Sequence, residues 1–151
     1  MSKFKILFVC TFYGGRARIA EIYAGQLGLG QVEVFSSGFE SGPIRGLPLA
    51  VMEEDGFKFP TDPLITVFDR YADGQTYDYV VTLCHESSTE QCPLFRNSVD
   101  LVYGGKAQVI SWSVPDFLAL QGLPEEKLEG ARAIRDSIKR KVAELLSKLA
   151  E

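Results

Sequence analysis

The feature that most constrains this chain is a nearly continuous apolar run, Lys5 to Val9, that enters a glycine-bearing turn and then a stretch of helical periodicity. A strand without polar alternation has to be covered on both faces. The helical stretch, Ala17 to Leu29, places Ile19, Ala20, Tyr23, Ala24 and Leu27 at helical spacing, and Gly28 and Gly30 end the pattern. A buried strand that hands over at once to a helix is the beginning of a parallel crossover unit. The alternation continues along the chain. Val32 to Phe35 predicts a second strand and Ser36 to Gly46 a loop holding Pro43. Pro48 to Glu54 predicts a short helix with proline in its first turn and Gly56 beyond its end, and Leu64 to Arg70 another short helix. Tyr77 to Cys84 is a β-rich run expected in the centre of a sheet, and Ala107 to Trp112 is a fourth strand. At the C-terminus, Leu128, Ala131, Ile134, Ile138, Val142, Leu145 and Leu149 share one face of a long helix that starts near Pro124 and Glu125.

Strands that alternate with helices imply a three-layer α/β domain around a parallel sheet, and such sheets bind ligands at the carboxyl ends of their strands. With 151 residues and neither linker nor repeat, residues 1–151 are expected to form one domain. The net charge of −4 leaves no basic stripe for nucleic acid. No segment reaches the ~18 apolar residues of a membrane span, and the opening run is too short for a signal peptide, so a cytoplasmic location is expected. The three cysteines are then expected as thiols, which invites a catalytic or redox role.

Cys10 directly follows the first strand and opens Cys10-Thr11-Phe12-Tyr13-Gly14-Gly15-Arg16, immediately before the helix. Helix N-termini leave backbone N–H groups unpaired and carry partial positive charge, which attracts oxyanions. Five residues between Cys10 and Arg16 can wrap the N–H groups of Thr11, Phe12, Tyr13, Gly14, Gly15 and Arg16 around a tetrahedral anion. Gly14 and Gly15 permit the backbone shapes this needs, and the Arg16 guanidinium can grip two oxygens as a fork. The same positive surroundings would lower the Cys10 thiol pKa to about 3.5–7.5 and make it a nucleophile at neutral pH. The competing interpretation is a buried structural cysteine followed by a surface arginine.

Asp116, in Trp112-Ser113-Val114-Pro115-Asp116-Phe117, lies just past the last strand and so at the same sheet edge as Cys10. A carboxyl there could protonate a leaving oxygen and later activate water. Alternatively, Asp116 caps a short helix from Phe117 to Leu120. Cys84 ends the third strand, where a free cysteine is often simply packed. Cys92 lies in a polar loop, and a pair at this spacing can close a disulfide by thiolate exchange. His85 is the only histidine and no CxxC occurs, so no zinc site is expected.

With these residues in view, the chain resembles the low-molecular-weight protein tyrosine phosphatase family, and within it the thioredoxin-coupled arsenate reductase branch. The resemblance rests on Val9-Cys10-Thr11 with Arg16 and Ala20-Glu21; on Ser36-Ser37-Gly38; on Pro48, Ala50, Met52, Glu54 and Gly56; on Tyr79-Val80-Val81-Thr82-Leu83-Cys84; on Cys92-Pro93; and on Trp112 with Pro115-Asp116. It implies a four-stranded parallel sheet in the order 2-1-3-4. It also implies that Cys10 is the nucleophile, that Arg16 binds the oxyanion and that Asp116 is the acid and base. In the reductase branch Cys84 would attack Cys10 and release arsenite, and Cys92 would take over the disulfide with Cys84 for reduction by thioredoxin. The phosphatase branch would instead hydrolyse a phosphomonoester such as a phosphotyrosine protein, and a chain with a weakened site would only bind phosphate or a phosphoprotein. None of these readings calls for a cofactor or metal. Some positions differ from the family pattern: Tyr13 stands where the loop carries asparagine, and Ala17 where it carries serine. Gly14-Gly15 replaces bulkier residues, the Cys84-to-Cys92 segment is one residue longer than in the reductases, and no proline follows Asp116. Losing a single transition-state donor costs about 2.7–4 kcal/mol, so these changes predict slower turnover or a changed substrate.

Overall fold

The computed structural model describes residues 4–60, 62–85 and 92–150. Four strands, β1 (Phe4–Cys10), β2 (Val32–Gly38), β3 (Tyr79–Cys84) and β4 (Gln108–Ser113), form one parallel sheet in the order β2-β1-β3-β4. This is the order the family resemblance implied. β1 lies between β2 and β3, with Cys10 paired to Gly38 on one side and Leu83 on the other. Its lack of polar alternation is explained by two cores. Ile6, Phe8 and Cys10 face a layer containing α1 (Gly15–Leu27), α2 (Leu47–Glu54) and α5 (Pro124–Leu149). Leu7 and Val9 face α3 (Val67–Ala72) and α4 (Cys92–Tyr103).

The long C-terminal helix follows its apolar period: Ala131, Ile134, Ile138, Val142 and Leu145 are buried. Its first turn is closed by Glu126, whose Oε1 accepts from the Leu123 N–H at 3.2 Å. Arg132 holds Glu54 through two hydrogen bonds of 2.9 and 2.7 Å, and Arg135 donates to the Val51 carbonyl at 2.8 Å, which docks α2 on α5. No helix among the described residues is long and apolar enough to cross a membrane.

Several boundaries depart from expectation. α1 begins at Gly15 rather than Ala17, so Arg16 sits in its first turn. β2 continues through Ser36, Ser37 and Gly38, which were expected in a loop. These polar residues are tolerated in a buried strand because each has a partner: Ser36 Oγ donates to Glu21 at 2.9 Å, and Arg70 donates to Ser37 Oγ at 2.5 Å and to the Ser36 carbonyl at 3.1 Å. The helix expected at Leu64 starts at Val67, after Thr66 caps it by accepting from the Asp69 N–H. The helix expected over Phe117 to Leu120 is a single 3-10 turn, Phe117–Ala119.

The largest correction is α4. Cys92, expected in a polar loop, is buried at the start of a helix whose Phe95, Val99 and Tyr103 continue the same inward face. Residues 86–91 of the expected Cys84–Cys92 loop lie outside the described residues.

Burial opposes the charge of Glu21. Burial pushes its carboxyl above the ordinary range, and Ser36, Arg18 and Arg70 only partly pull it back. A raised folded-state pKa means the fold favours the neutral acid, so the penalty is present above that pKa and disappears below the ordinary carboxylate value. Glu21→Gln keeps the acceptor for Ser36 without the charge. The variant is expected to melt higher than wild type at pH 7.5, with the gain shrinking as the melts are repeated at progressively lower pH. An equal gain at every pH would contradict this account.

Candidate active site

Cys10 ends β1 at the carboxyl edge of the sheet and is 1% exposed. The loop after it turns through Gly14, whose φ of +100° is readily adopted only by glycine, and delivers Arg16 into the first turn of α1. Arg16 is also 1% exposed. One terminal nitrogen donates to the Val114 carbonyl at 2.8 Å and the other to Thr11 Oγ1 at 2.9 Å, while Nε stands 3.8 Å from Asp116 Oδ1. A buried cation held in this way has a fixed plane, which a fork-like grip on an oxyanion requires.

Asp116 thus stands beside Arg16. Its side chain makes no capping hydrogen bond to the following turn, and only its backbone carbonyl accepts from Ala119. The capping role that competed for Asp116 is not the one its side chain adopts. Cys10, Phe12, Tyr13, Gly14, Gly15, Arg16 and Asp116 line one cleft of about 370 Å³. Its remaining walls are largely carbon, from Pro43, Ile44, Pro48, Phe117 and Leu118, with the exposed Arg45 among them.

The expectation of a lowered Cys10 pKa is reversed. Burial is the largest influence and pushes the thiol above its ordinary value. Arg16 and the backbone N–H groups of Ala17 and Arg16, which donate to the sulfur, pull it down, while the negative charge of Asp116 pushes it up. The sequence exposes the attractive charges but not how completely the sulfur is enclosed. Ala17 lacks a hydroxyl, yet its backbone N–H still reaches Cys10.

The other two cysteines form a Cys84–Cys92 disulfide with Cα atoms 6.1 Å apart. Both belong to the α3/α4 core, whereas Cys10 belongs to the α1/α5 core. The register explains the separation. Cys10 pairs with Leu83, so Leu83 shares its face and Cys84, one residue further, points to the other. The structure therefore gathers Cys10, Thr11, Arg16 and Asp116 at one place and sets the disulfide across the sheet. Sequence reasoning missed the Val114 carbonyl, because no side-chain pattern reports where a carbonyl points. It also missed Ile44 and Arg45, which a polar and proline-bearing loop gives no reason to place at the cleft, and Leu118, in the turn after Asp116. Among the described residues no cluster of His, Cys, Asp and Glu could hold a metal ion.

The charge arrangement has a direct consequence for Cys10 reactivity. Asp116→Asn removes a charge that disfavours the thiolate, so iodoacetamide should alkylate Cys10 faster at pH 7.5 than in wild type, with the pH inflection moved down. Arg16→Gln should move the inflection up. An inflection unchanged by both substitutions would show that neither group controls the thiol.

Residues 5–151 match the low molecular weight phosphotyrosine protein phosphatase family. The chain is 30% identical over 149 residues to the glutaredoxin arsenate reductase of Synechocystis sp., covering 97% of this chain and 98% of that protein. It is 26% identical over 142 residues to the arsenate reductase of Halalkalibacterium halodurans, covering 94% of each. Among solved structures, an arsenate reductase in the phosphate binding state superposes with a TM-score of 0.69 at 28% identity, over 97% of this chain and 98% of that one. Taken with the sheet order and the Cys10–Arg16 loop, these likenesses establish that the chain belongs to the low molecular weight phosphotyrosine protein phosphatase family.

Proposed function

We propose that this chain is an arsenate reductase that uses Cys10 as nucleophile and Cys84 and Cys92 as a dithiol relay. The observation that carries this reading is the Cys84–Cys92 disulfide, held at the end of the strand that pairs with the Cys10 strand. A simple hydrolase has no use for such a pair.

The Cys10 thiolate attacks arsenate in the cradle of backbone N–H groups, Arg16 holds the oxygens, and Asp116 protonates the departing oxygen as water. The Cys84 thiolate then attacks the Cys10 sulfur. The S–As bond breaks with its electron pair going to arsenic, which leaves as arsenite, and a Cys10–Cys84 disulfide forms. The Cys92 thiolate attacks Cys84 and expels Cys10 as a thiolate, which gives the Cys84–Cys92 disulfide. Two electrons from an external thiol reductant reopen it. The name of the Synechocystis relative supports a glutaredoxin in this role alongside the thioredoxin implied by the family branch.

Because Cys84 faces away from Cys10, the relay also requires the last residue of β3 to leave the sheet. That means breaking its contact with β4, including the hydrogen bond from Val114 N to the Cys84 carbonyl at 3.2 Å. A strand terminus is where such unpairing is least costly.

One observation favours a second reading, phosphomonoester hydrolysis. A cleft of about 370 Å³ falls in the range of about 300–1,000 Å³ typical of organic ligands and has carbon walls, so it accommodates a group attached to the oxyanion.

Arsenate-dependent NADPH oxidation, coupled through glutaredoxin with glutathione or through thioredoxin, separates the two. The relay predicts oxidation by wild type that is lost in Cys10→Ser, Cys84→Ser and Cys92→Ser, and reduced by about 10²–10⁴ in Asp116→Asn. No oxidation with either reductant would sink it. Hydrolysis of an aryl phosphate that is lost in Cys10→Ser but indifferent to Cys84→Ser and Cys92→Ser would establish the hydrolase.

A further inference from the structure

Successive backbone N–H groups converge on one point only in particular local conformations, here including the positive φ of Gly14, and neighbouring segments can hold them there. Here the support comes from the side. The Phe39 N–H donates to the Cys10 carbonyl at 2.9 Å. A methyl group on Gly38 would lie 2.2 Å from the Phe12 carbonyl oxygen and 3.1 Å from the Tyr13 carbonyl carbon, so the Gly38 backbone abuts the loop backbone at both residues. A methyl group on Gly42 would lie 2.7 Å from Tyr13 Cδ1 and Cε1 and 2.8 Å from Cγ, which puts Gly42 against the Tyr13 ring. On the same loop, a methyl group on Gly14 would lie 2.3 Å from Leu64 Cδ1. Leu64 is itself buried, and its carbonyl accepts from Ser41 Oγ at 3.1 Å. The neighbouring Thr66 bridges to Gly38, so the two parts of the clasp are joined.

The Tyr13 hydroxyl makes no hydrogen bond to the described residues. What Tyr13 brings is the area of its ring, of which one side rests on Gly42 while the residue remains 43% exposed at the cleft.

We propose that Tyr13 is a positioning residue: its ring, seated on Gly42, together with Leu64 packed on Gly14, holds the Cys10–Arg16 loop in its anion-binding shape by carbon packing. The proposal rests on the oxyanion-loop reading of the site and gives each partner a defined part. Gly42 must lack a side chain because the ring occupies that space. Leu64 must be long enough to reach Gly14.

The test is a double-mutant cycle between Tyr13 and Gly42, read as protection of Cys10 from iodoacetamide by inorganic phosphate. Tyr13→Ala is expected to weaken phosphate binding about tenfold, equivalent to about 1.4 kcal/mol. Gly42→Ala should weaken it similarly by displacing the ring, and the double variant should be no worse than either alone, because the methyl group then has no ring to displace. Tyr13→Phe should recover most of the affinity that Tyr13→Ala loses. Wild-type affinity in Tyr13→Ala, or penalties that multiply in the double variant, would overturn the proposal, as would a lowered melting temperature with unchanged affinity.

A second measurement needs no anion. Loosening the loop moves the Ala17 and Arg16 N–H groups relative to the Cys10 sulfur, so the pH inflection of Cys10 alkylation should shift in Tyr13→Ala and return in Tyr13→Phe. An unmoved inflection counts against the brace. Failure of wild type to be protected by phosphate counts against the oxyanion reading instead.

Discussion

A buried guanidinium stays charged at any pH the fold survives, so its surroundings must be arranged around it. Arg16 imposes that requirement here. Its contacts with Thr11, Val114 and Asp116 tie the loop after β1 to the chain that leaves β4. Those two segments lie on opposite sides of β3 in the sheet order, and no backbone pairing connects them. The cation does so, and in doing so it brings a carboxyl to the cleft that holds the cysteine. Site and fold are therefore one constraint: the sheet edge is where β1 and β4 end, and Arg16 sets their relation across the gap.

The sheet also divides the sulfur chemistry. Alternation along a strand sends neighbouring residues to opposite faces, so Cys10, paired with Leu83, cannot share a layer with Cys84 while both strands are intact. The relay proposed above would therefore have to pass around the end of β3. Cys84 is the last residue of that strand and Cys92 the first of α4, so the pair sits where local release disturbs the fewest interactions.

Much of this was legible in the residues. Apolar and β-rich runs mark the four strands, helical periodicity marks α1 and α5, and Pro48 and Gly56 bound α2. Cys10, Arg16 and Asp116 could be placed at one edge because strand ends in a parallel sheet share it. α4 was missed although Cys92, Phe95, Val99 and Tyr103 have helical spacing, since a polar segment and Pro93 beside Cys92 masked its start. Ser36 to Gly38 looked like loop because the partners that make serine acceptable in a strand, Glu21 and Arg70, are 15 and more than 30 residues away. The direction of the Cys10 shift is hidden from the sequence for a related reason. Charges can be read from a sequence, whereas the degree to which neighbouring segments close over an atom belongs to the assembled fold.

The enclosure of Cys10 has a consequence outside the reaction itself. Peroxides and other oxidants attack thiolates far faster than thiols, and overoxidation to sulfinic acid is irreversible for most proteins. Cys10 is 1% exposed and lines the cleft, so an oxidant small enough to enter would compete with the anion for the same sulfur. An anion seated in the cleft would then shield the thiol from peroxide as well as present itself to it.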